Sequence, residues 1–265
     1  LKALAVEAKV QDIGLTVDAE EADRLDLSLD VIEAVSGDPE LKGWGGFGLA
    51  IQAYQKRCSR LIDLLADMAR RHERRLMVRL VKGAYWDTEI KTSQEAGLEG
   101  YPVFTRKAST DVSYLACARK LLADPEAFYP QFATHNAHSL AAVLEMAGNQ
   151  RDFEFQRLHG MGEALYEQIV GPDKLGIPCR IYAPVGSHED LLAYLVRRLL
   201  ENGANTSFVN RIQDEKLPVD EIVADPLAKV KGLDRVPHPA IPLPRDLYGR
   251  ERKNSEGRDL TDVPA

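Results

Sequence analysis

The 265-residue chain has little cysteine, little tryptophan and no excess of basic charge. Its three cysteines, Cys58, Cys117 and Cys179, stand far apart in sequence with no CxxC pair. That excludes a disulfide scaffold and a cysteine zinc site, and it points to a reducing compartment. Lys plus Arg is 34 against 41 Asp plus Glu, a net charge of −7, so nothing draws the chain as a whole to nucleic-acid phosphates. No apolar run approaches the roughly 20 residues of a membrane span; the longest, 191–196, has about six. No GxSxG elbow, P-loop or kinase signature occurs. The chain opens Leu1-Lys2-Ala3-Leu4, neither a secretory leader nor an initiator methionine, and the expectation is that it begins inside a larger protein.

What is present is an alternation. Strand-like runs are predicted at 13–18, 48–53, 76–82, 132–135, 153–159 and 180–185, with helical patterns between them. The clearest helix runs from 191 to 202, with Ser187 placed to cap its first turn and Asp190 three residues on. Residues 140–146 and 61–71 read as two more. Strand–helix alternation means a parallel sheet, because parallel neighbours need crossover helices. An open doubly wound sheet and a closed (β/α)8 barrel both satisfy it. The strands end in polar clusters, Asp18-Ala19-Glu20-Glu21, Gln52-Ala53-Tyr54, Lys82 to Asp87, His135-Asn136, His159 to Gly162 and Tyr182-Ala183-Pro184. Six converging polar ends suit the mouth of a barrel better than the single crevice of an open sheet. A barrel needs eight strands and six are counted, so either two strands precede residue 1 or two go unrecognised, and the fold expected is α/β, a TIM-like (β/α)8 barrel. From about 212 to 265 prolines cluster, as in Pro237-His238-Pro239-Ala240-Ile241-Pro242-Leu243-Pro244. Each removes a donor and fixes φ, so this stretch reads as an extended arm or a disordered tail, separate from a barrel at 1–211.

Several residues invite a chemical reading. Gly43 to Gly48 matches G-x-G-x-x-G, but these glycines precede a strand rather than follow one, so the dinucleotide fingerprint is rejected. Arg79 stands in the middle of Leu76-Met77-Val78-Arg79-Leu80-Val81. A buried arginine must be paired, and a structural ion pair and a functional charge are both open. Alternation puts Lys82 on the opposite face from Arg79 unless the strand has already ended. His135, His138, His159 and Asp18 lack the spacing of a metal set, and none is assigned. Arg197 and Arg198 lie on the amphipathic helix. They form either a solvated face, with Arg197 paired to Glu201, or a two-fork clamp for a carboxylate.

The runs VRLVKGAYWD (78–87), EGYPVFTRK (99–107), FATHNAH (132–138), LHGMGE (158–163), RIYAPVG (180–186) and YLVRRLLEN (194–202), with DAEE (18–21) and QAYQKR (52–57), resemble the proline dehydrogenase domain of bacterial proline utilization A proteins. The proline-rich arm resembles the segment leading into that family's aldehyde dehydrogenase half. The resemblance implies a distorted barrel that binds FAD, oxidises L-proline to Δ1-pyrroline-5-carboxylate as the first step of proline catabolism to glutamate, and passes electrons to a membrane quinone. It implies a cytoplasmic protein peripherally associated with the inner face of the cell membrane, a homo-oligomer, with the aldehyde dehydrogenase domain fused in the full chain and no nucleic acid bound by this segment. Carried over, the cofactor contacts are Gln52, Arg79, Val81, Lys82, Gly83, Ala84, Tyr85, Trp86, Thr105, Lys107, Thr110, His135, Asn136, Gln156 and Glu201. The catalytic and substrate residues are Arg79, Asp18, Tyr85, Leu158, Tyr182, Arg197 and Arg198. Arg197 and Arg198 grip the carboxylate, Tyr182 and Leu158 wall the ring, Arg79 stabilises reduced flavin, and Lys82 and Lys107 serve ribityl and phosphate oxygens.

In the family the first two strands supply a lysine and a glutamate to the active site, and nothing here corresponds. Two competing readings remain on the residues alone. One is a Schiff-base aldolase using Lys82; the other is a non-catalytic barrel that docks a dehydrogenase.

Overall fold

The computed structural model describes residues 1–203 and 218–259, apart from the side chains at 193, 197, 199–203, 219 and 222. The expected boundary at 211/212 therefore lies outside the described residues. Six strands form one sheet, β1 (Leu15–Val17), β2 (Phe47–Gln52), β3 (Leu76–Val81), β4 (Phe128–Ala133), β5 (Glu154–Leu158) and β6 (Cys179–Tyr182). They are ordered as in the sequence, and every neighbouring pair is parallel. A doubly wound sheet reverses its strand order at a switch point. This order never reverses, which is the winding of a barrel and decides between the two architectures.

Helix α1 (Lys2–Val10) precedes the sheet; α2 (Leu25–Ser36), α3 (Cys58–Arg71), α4 (Trp86–Glu95), α5 (Lys107–Leu122), α6 (Ala137–Ala147) and α7 (Glu163–Tyr166) lie in the crossovers, and α8 (His188–Gly203) follows the last strand. In α3 the buried positions Leu61, Ile62, Leu65, Met68 and Ala69 recur at helical spacing and line one face. At α8 Ser187 and Asp190 bond reciprocally, Asp190 N–H to Ser187 Oγ at 3.3 Å and Ser187 N–H to Asp190 Oδ2 at 3.3 Å, the capping box expected. The apolar arc of α8, by contrast, leaves Leu192, Leu195 and Val196 exposed, as is Ile181 on the edge strand β6.

Strand alternation divides the sheet. Phe47, Leu49, Ile51, Leu76, Val78, Leu80, Phe128, Phe132 and Phe155 share the outer face and are buried in one core cluster with residues of α3, α5 and α6. Phe132, Phe153 and Phe155 meet edge-on or tilted, at centroid distances of 5.6–6.2 Å. The inner face carries Ala50, Arg79, Gln131 and Glu154 in one register row. Cys58 and Cys117 are distant in sequence, but α3 and α5 bring their free thiols to 3.7 Å.

Most strand limits fall within two residues of expectation, and two differ by more. β4 begins at Phe128, before Pro130, and ends at Ala133, so His135 stands beyond it. Pro130 pairs with Val78 of β3, whereas pairing with β5 begins only at Gln131, so the proline sits where one side of the strand has no partner to lose. β6 stops at Tyr182, before Pro184, rather than reaching 185.

The proline-rich arm packs against the barrel. Arg106 donates from Nε to Val236 O at 2.9 Å, Tyr101 donates to Pro242 O at 2.7 Å, and Asn254 Nδ2 donates to Gln94 O at 2.8 Å. Ile241 packs on Tyr54, Ile90, Tyr101 and Val103. Asp225 caps the helix Pro226–Lys231 by accepting from Leu227 N–H.

The inner face has one position that admits only glycine. A Cβ on Gly48 would lie 1.9 Å from the Met77 carbonyl oxygen across the β2–β3 pair. Gly48→Ala should therefore destabilise the fold by about 1–3 kcal/mol, the usual range for overpacking, as a lower midpoint in urea unfolding. An unchanged midpoint would show that the two strands can separate at no cost.

Candidate functional site

The inner face of the sheet, at the carboxyl ends of its strands, gathers several of the predicted residues. Register places Arg79, Val81, Gln52, Gln156, Leu158 and Tyr182 on this one face. Arg79 is at its centre. Its Nη1 donates to Asp18 Oδ1 at 3.2 Å, and its Cζ lies 5.4 Å from the centre of the Tyr182 ring. Its Nε is buried without a hydrogen-bond partner. The Asp18 side chain is 70 % exposed, so the pair is not a closed internal ion pair. Buried N–H groups are mostly satisfied; this one, like two on Arg74 outside the inner face, has no partner. Burial pushes the Tyr182 hydroxyl up, and the Arg79 cation partly opposes it.

His135 follows β4, and its Nε2 accepts the Leu158 N–H at 3.1 Å. An accepting Nε2 puts the ring proton on Nδ1. Burial first, then the nearby Arg198 and Arg157 cations, push His135 down to about 4. Arg198 also acts electrostatically on Tyr182 and stacks 5.6 Å from the Tyr194 ring centre. Helix α8 thus brings Arg198 near the strand ends. The side chains of Arg197 and Glu201 lie outside the described residues.

A second group forms on the other side of β3, where α5 packs. β3 ends at Val81, and Lys82, the next residue, reaches α5. It pairs with Asp111 and stands 5.7 Å from the Tyr114 ring centre. Lys107 reaches the other Asp111 oxygen at 2.8 Å. Burial pushes Lys82 down. At Asp111 burial acts upward, but the two ammonium groups outweigh it and hold the carboxyl low. Arg106, at the N-cap of α5, gives its helix no side-chain bond, and Thr110 is buried in the first turn. Gly83 has φ +139°, and a Cβ there would meet the Tyr54 ring at 2.5 Å.

The remaining predicted residues are bonded within the loops. Gln52 donates to Glu20 O at 2.7 Å and accepts from Ala84 N–H at 3.3 Å. Tyr85 donates to Glu20 Oε2 at 2.5 Å, and Trp86 Nε1 to Phe104 O at 2.8 Å. Thr105 Oγ1 accepts from His238 N–H at 3.0 Å, so this threonine serves the arm. Asn136 Oδ1 accepts from Ser139 N–H at 3.0 Å and caps α6. Sequence reasoning missed Asp111, Glu20 and Glu154. Asp111 stands four residues after Lys107, a legible helical pair. Glu154 stands in Phe153-Glu154-Phe155-Gln156, whose alternation marks it as inward-facing.

A family model described as Proline dehydrogenase matches residues 1–211. The Bifunctional protein PutA of Klebsiella aerogenes is 65 % identical over 272 residues, covering 98 % of this chain and 21 % of that protein. The crystal structure of a bifunctional proline utilization A (PutA) protein superposes with a TM-score of 0.94 at 62 % identity, over 98 % of this chain and 27 % of that one. The PutA of Bdellovibrio bacteriovorus inactivated by N-propargylglycine superposes with a TM-score of 0.81 at 35 % identity, over 86 % of this chain and 24 % of that one. The chain thus spans about a fifth of its curated relative's length.

A neutral His135 has a consequence for acid stability. With its value lowered from 6.5 to about 4, the folded state resists a proton that the unfolded chain accepts. Its contribution is complete above pH 6.5 and is lost as pH falls toward 4. His135→Gln should flatten the slope of unfolding free energy in that window. Arg198→Met should raise the His135 titration midpoint in an NMR titration, and an unmoved midpoint would separate α8 from the strand ends.

Proposed function

The chain belongs to the proline dehydrogenase family, and on that premise we propose that it forms the mouth of a barrel that oxidises L-proline to Δ1-pyrroline-5-carboxylate with FAD. The observation that carries this reading is Arg79, a half-buried guanidinium on the inner face with a buried, unsatisfied Nε, between Asp18 and Tyr182. The donor set fits the cofactor at both ends. Lys82, Lys107 and the uncapped first turn of α5 suit phosphate. Arg79 suits a ring that gains negative charge, and Gly83 keeps the chain clear of Tyr54 where no side chain fits. Bound FAD supplies two-electron acceptance, which no side chain here can provide.

The chain's own groups do the rest. Arg198, with Arg197, would hold the proline carboxylate, since a guanidinium fork matches a planar anion. Leu158 and Tyr182 are register partners and would wall the ring. Neutral His135 fixes that wall by accepting the Leu158 N–H. Arg79, oriented by Asp18, would stabilise charge accumulating beside it. Gln52, Val81, Ala84, Tyr85, Trp86, Thr110, Asn136, Gln156 and Glu201 would complete the cofactor's surroundings. Thr105 would do so only alongside its bond to the arm.

Electrons would pass to a membrane quinone, with a homo-oligomeric cytoplasmic protein resting on the inner face of the membrane. Among the described residues no helix is long and apolar enough to cross a membrane. A fused aldehyde dehydrogenase domain would take the product onward. The aldolase reading weakens because Lys82 is engaged by Asp111 on the helix side of the sheet, away from the inner face where a substrate would sit.

The test is optical. Purified full-length protein should be yellow, and anaerobic L-proline should bleach its flavin band; colourless protein, or colour that persists, would overturn the proposal. Arg198→Met should weaken proline binding about tenfold, as loss of a charged hydrogen bond does, with flavin content unchanged. Undiminished affinity would remove this arginine from the clamp.

A further inference from the structure

Glu154 is a carboxylate with a surface exposure of only 2 % on the inner face of the sheet. Its Oε1 accepts from Gln131 Nε2 at 2.9 Å, from Gln156 Nε2 at 2.8 Å and from Arg180 Nε at 2.8 Å. Its Oε2 accepts from Arg180 Nη2 at 2.9 Å and from Tyr129 OH at 3.4 Å. A carboxylate can only accept, so the orientation of both amides is forced. Each must turn its NH2 group toward Glu154 and its carbonyl oxygen away. Gln131 shows the result, with an Oε1 that is buried and has no partner. Gln156 lies two residues closer to the strand end than Glu154, on the same face, and beside Ala133 in register.

We propose that Glu154 is a positioning residue. It binds the NH2 group of Gln156 and so makes this amide present its carbonyl oxygen, an acceptor, to the bound ligand. The inner face then offers a fixed donor, Arg79 Nε, and a fixed acceptor, Gln156 Oε1. That pair selects a ring edge carrying both a hydrogen-bond acceptor and an N–H donor, as in an imide. Without Glu154 the amide could present either end, and the selection would be lost. The inference rests on the proposed FAD site, because it concerns the group held there.

A double-mutant cycle in the full-length protein tests it, with FAD affinity read by fluorescence and the flavin absorption band read alongside. Glu154→Gln and Gln156→Leu should each weaken FAD binding about tenfold and shift the band, the cost of a hydrogen-bonding group left unmatched. The double variant should also be weaker by only about tenfold, because the second change removes nothing the first has left. Independent effects multiplying to about a hundredfold would overturn the proposal, as would a Glu154→Gln protein with unchanged affinity and band. Should Glu154→Gln fail to fold, Glu154→Asp keeps a charge for Arg180 and goes through the same cycle with the same criteria. Wild-type protein that binds no FAD overturns the site itself; an additive cycle in FAD-binding protein overturns only the role of Glu154.

Discussion

Parallel pairing ties each strand's inward residues to those of its neighbours. Ala50, Arg79, Gln131 and Glu154 occupy one row because β2 to β5 share a register. A slip of one residue in any strand would send its aromatic and aliphatic side chains to the mouth and its charges into the core. The outer face resists such a slip, since Phe47, Phe128, Phe132 and Phe155 are all fully or almost fully buried against the helices. The apolar side of the sheet thus sets where the polar side stands, and the chemistry of the mouth depends on a packing constraint that contains no chemistry.

Within that frame each charge is placed by a different kind of neighbour. Arg79 has one exposed carboxylate, one aromatic face and one buried N–H without a partner. Lys82 and Lys107 share a single Asp111, which leaves that group with one net positive charge. Glu154 is fully subscribed and turns two amides. His135 stays neutral because burial and two arginines disfavour its proton. Opposite outcomes for similar residues follow from the number of partners each backbone position supplies.

The barrel winding was legible because polar clusters recur at strand ends, and a single-crevice fold would not need six of them. Arg79 was legible as an anomaly, a charge inside an apolar run, but its role was not. Choosing between an internal ion pair and a reserved donor requires knowing that Asp18 is exposed and Nε unmatched. The start of β4 was illegible because Pro130 argues against a strand wherever the neighbouring strand's extent is unknown. Thr105 shows the other limit. Its place in the EGYPVFTRK run implies a ligand contact, but not that its hydroxyl also accepts from the N–H of His238, a residue 133 positions further along the chain. No local pattern foretells such a bond.

That distant bond is one of several by which the arm meets the barrel. Tyr101 to Pro242, Arg106 to Val236 and Asn254 to Gln94 close separations of 141, 130 and 160 residues. Every one uses a group on the connection from β3 to α5 or on α4, which must already be in place to receive it. Closing so long a loop costs chain entropy that local helices do not incur. The arm should therefore settle late in folding, as a splint across the loop that carries Thr105 and leads into Lys107 at the start of α5.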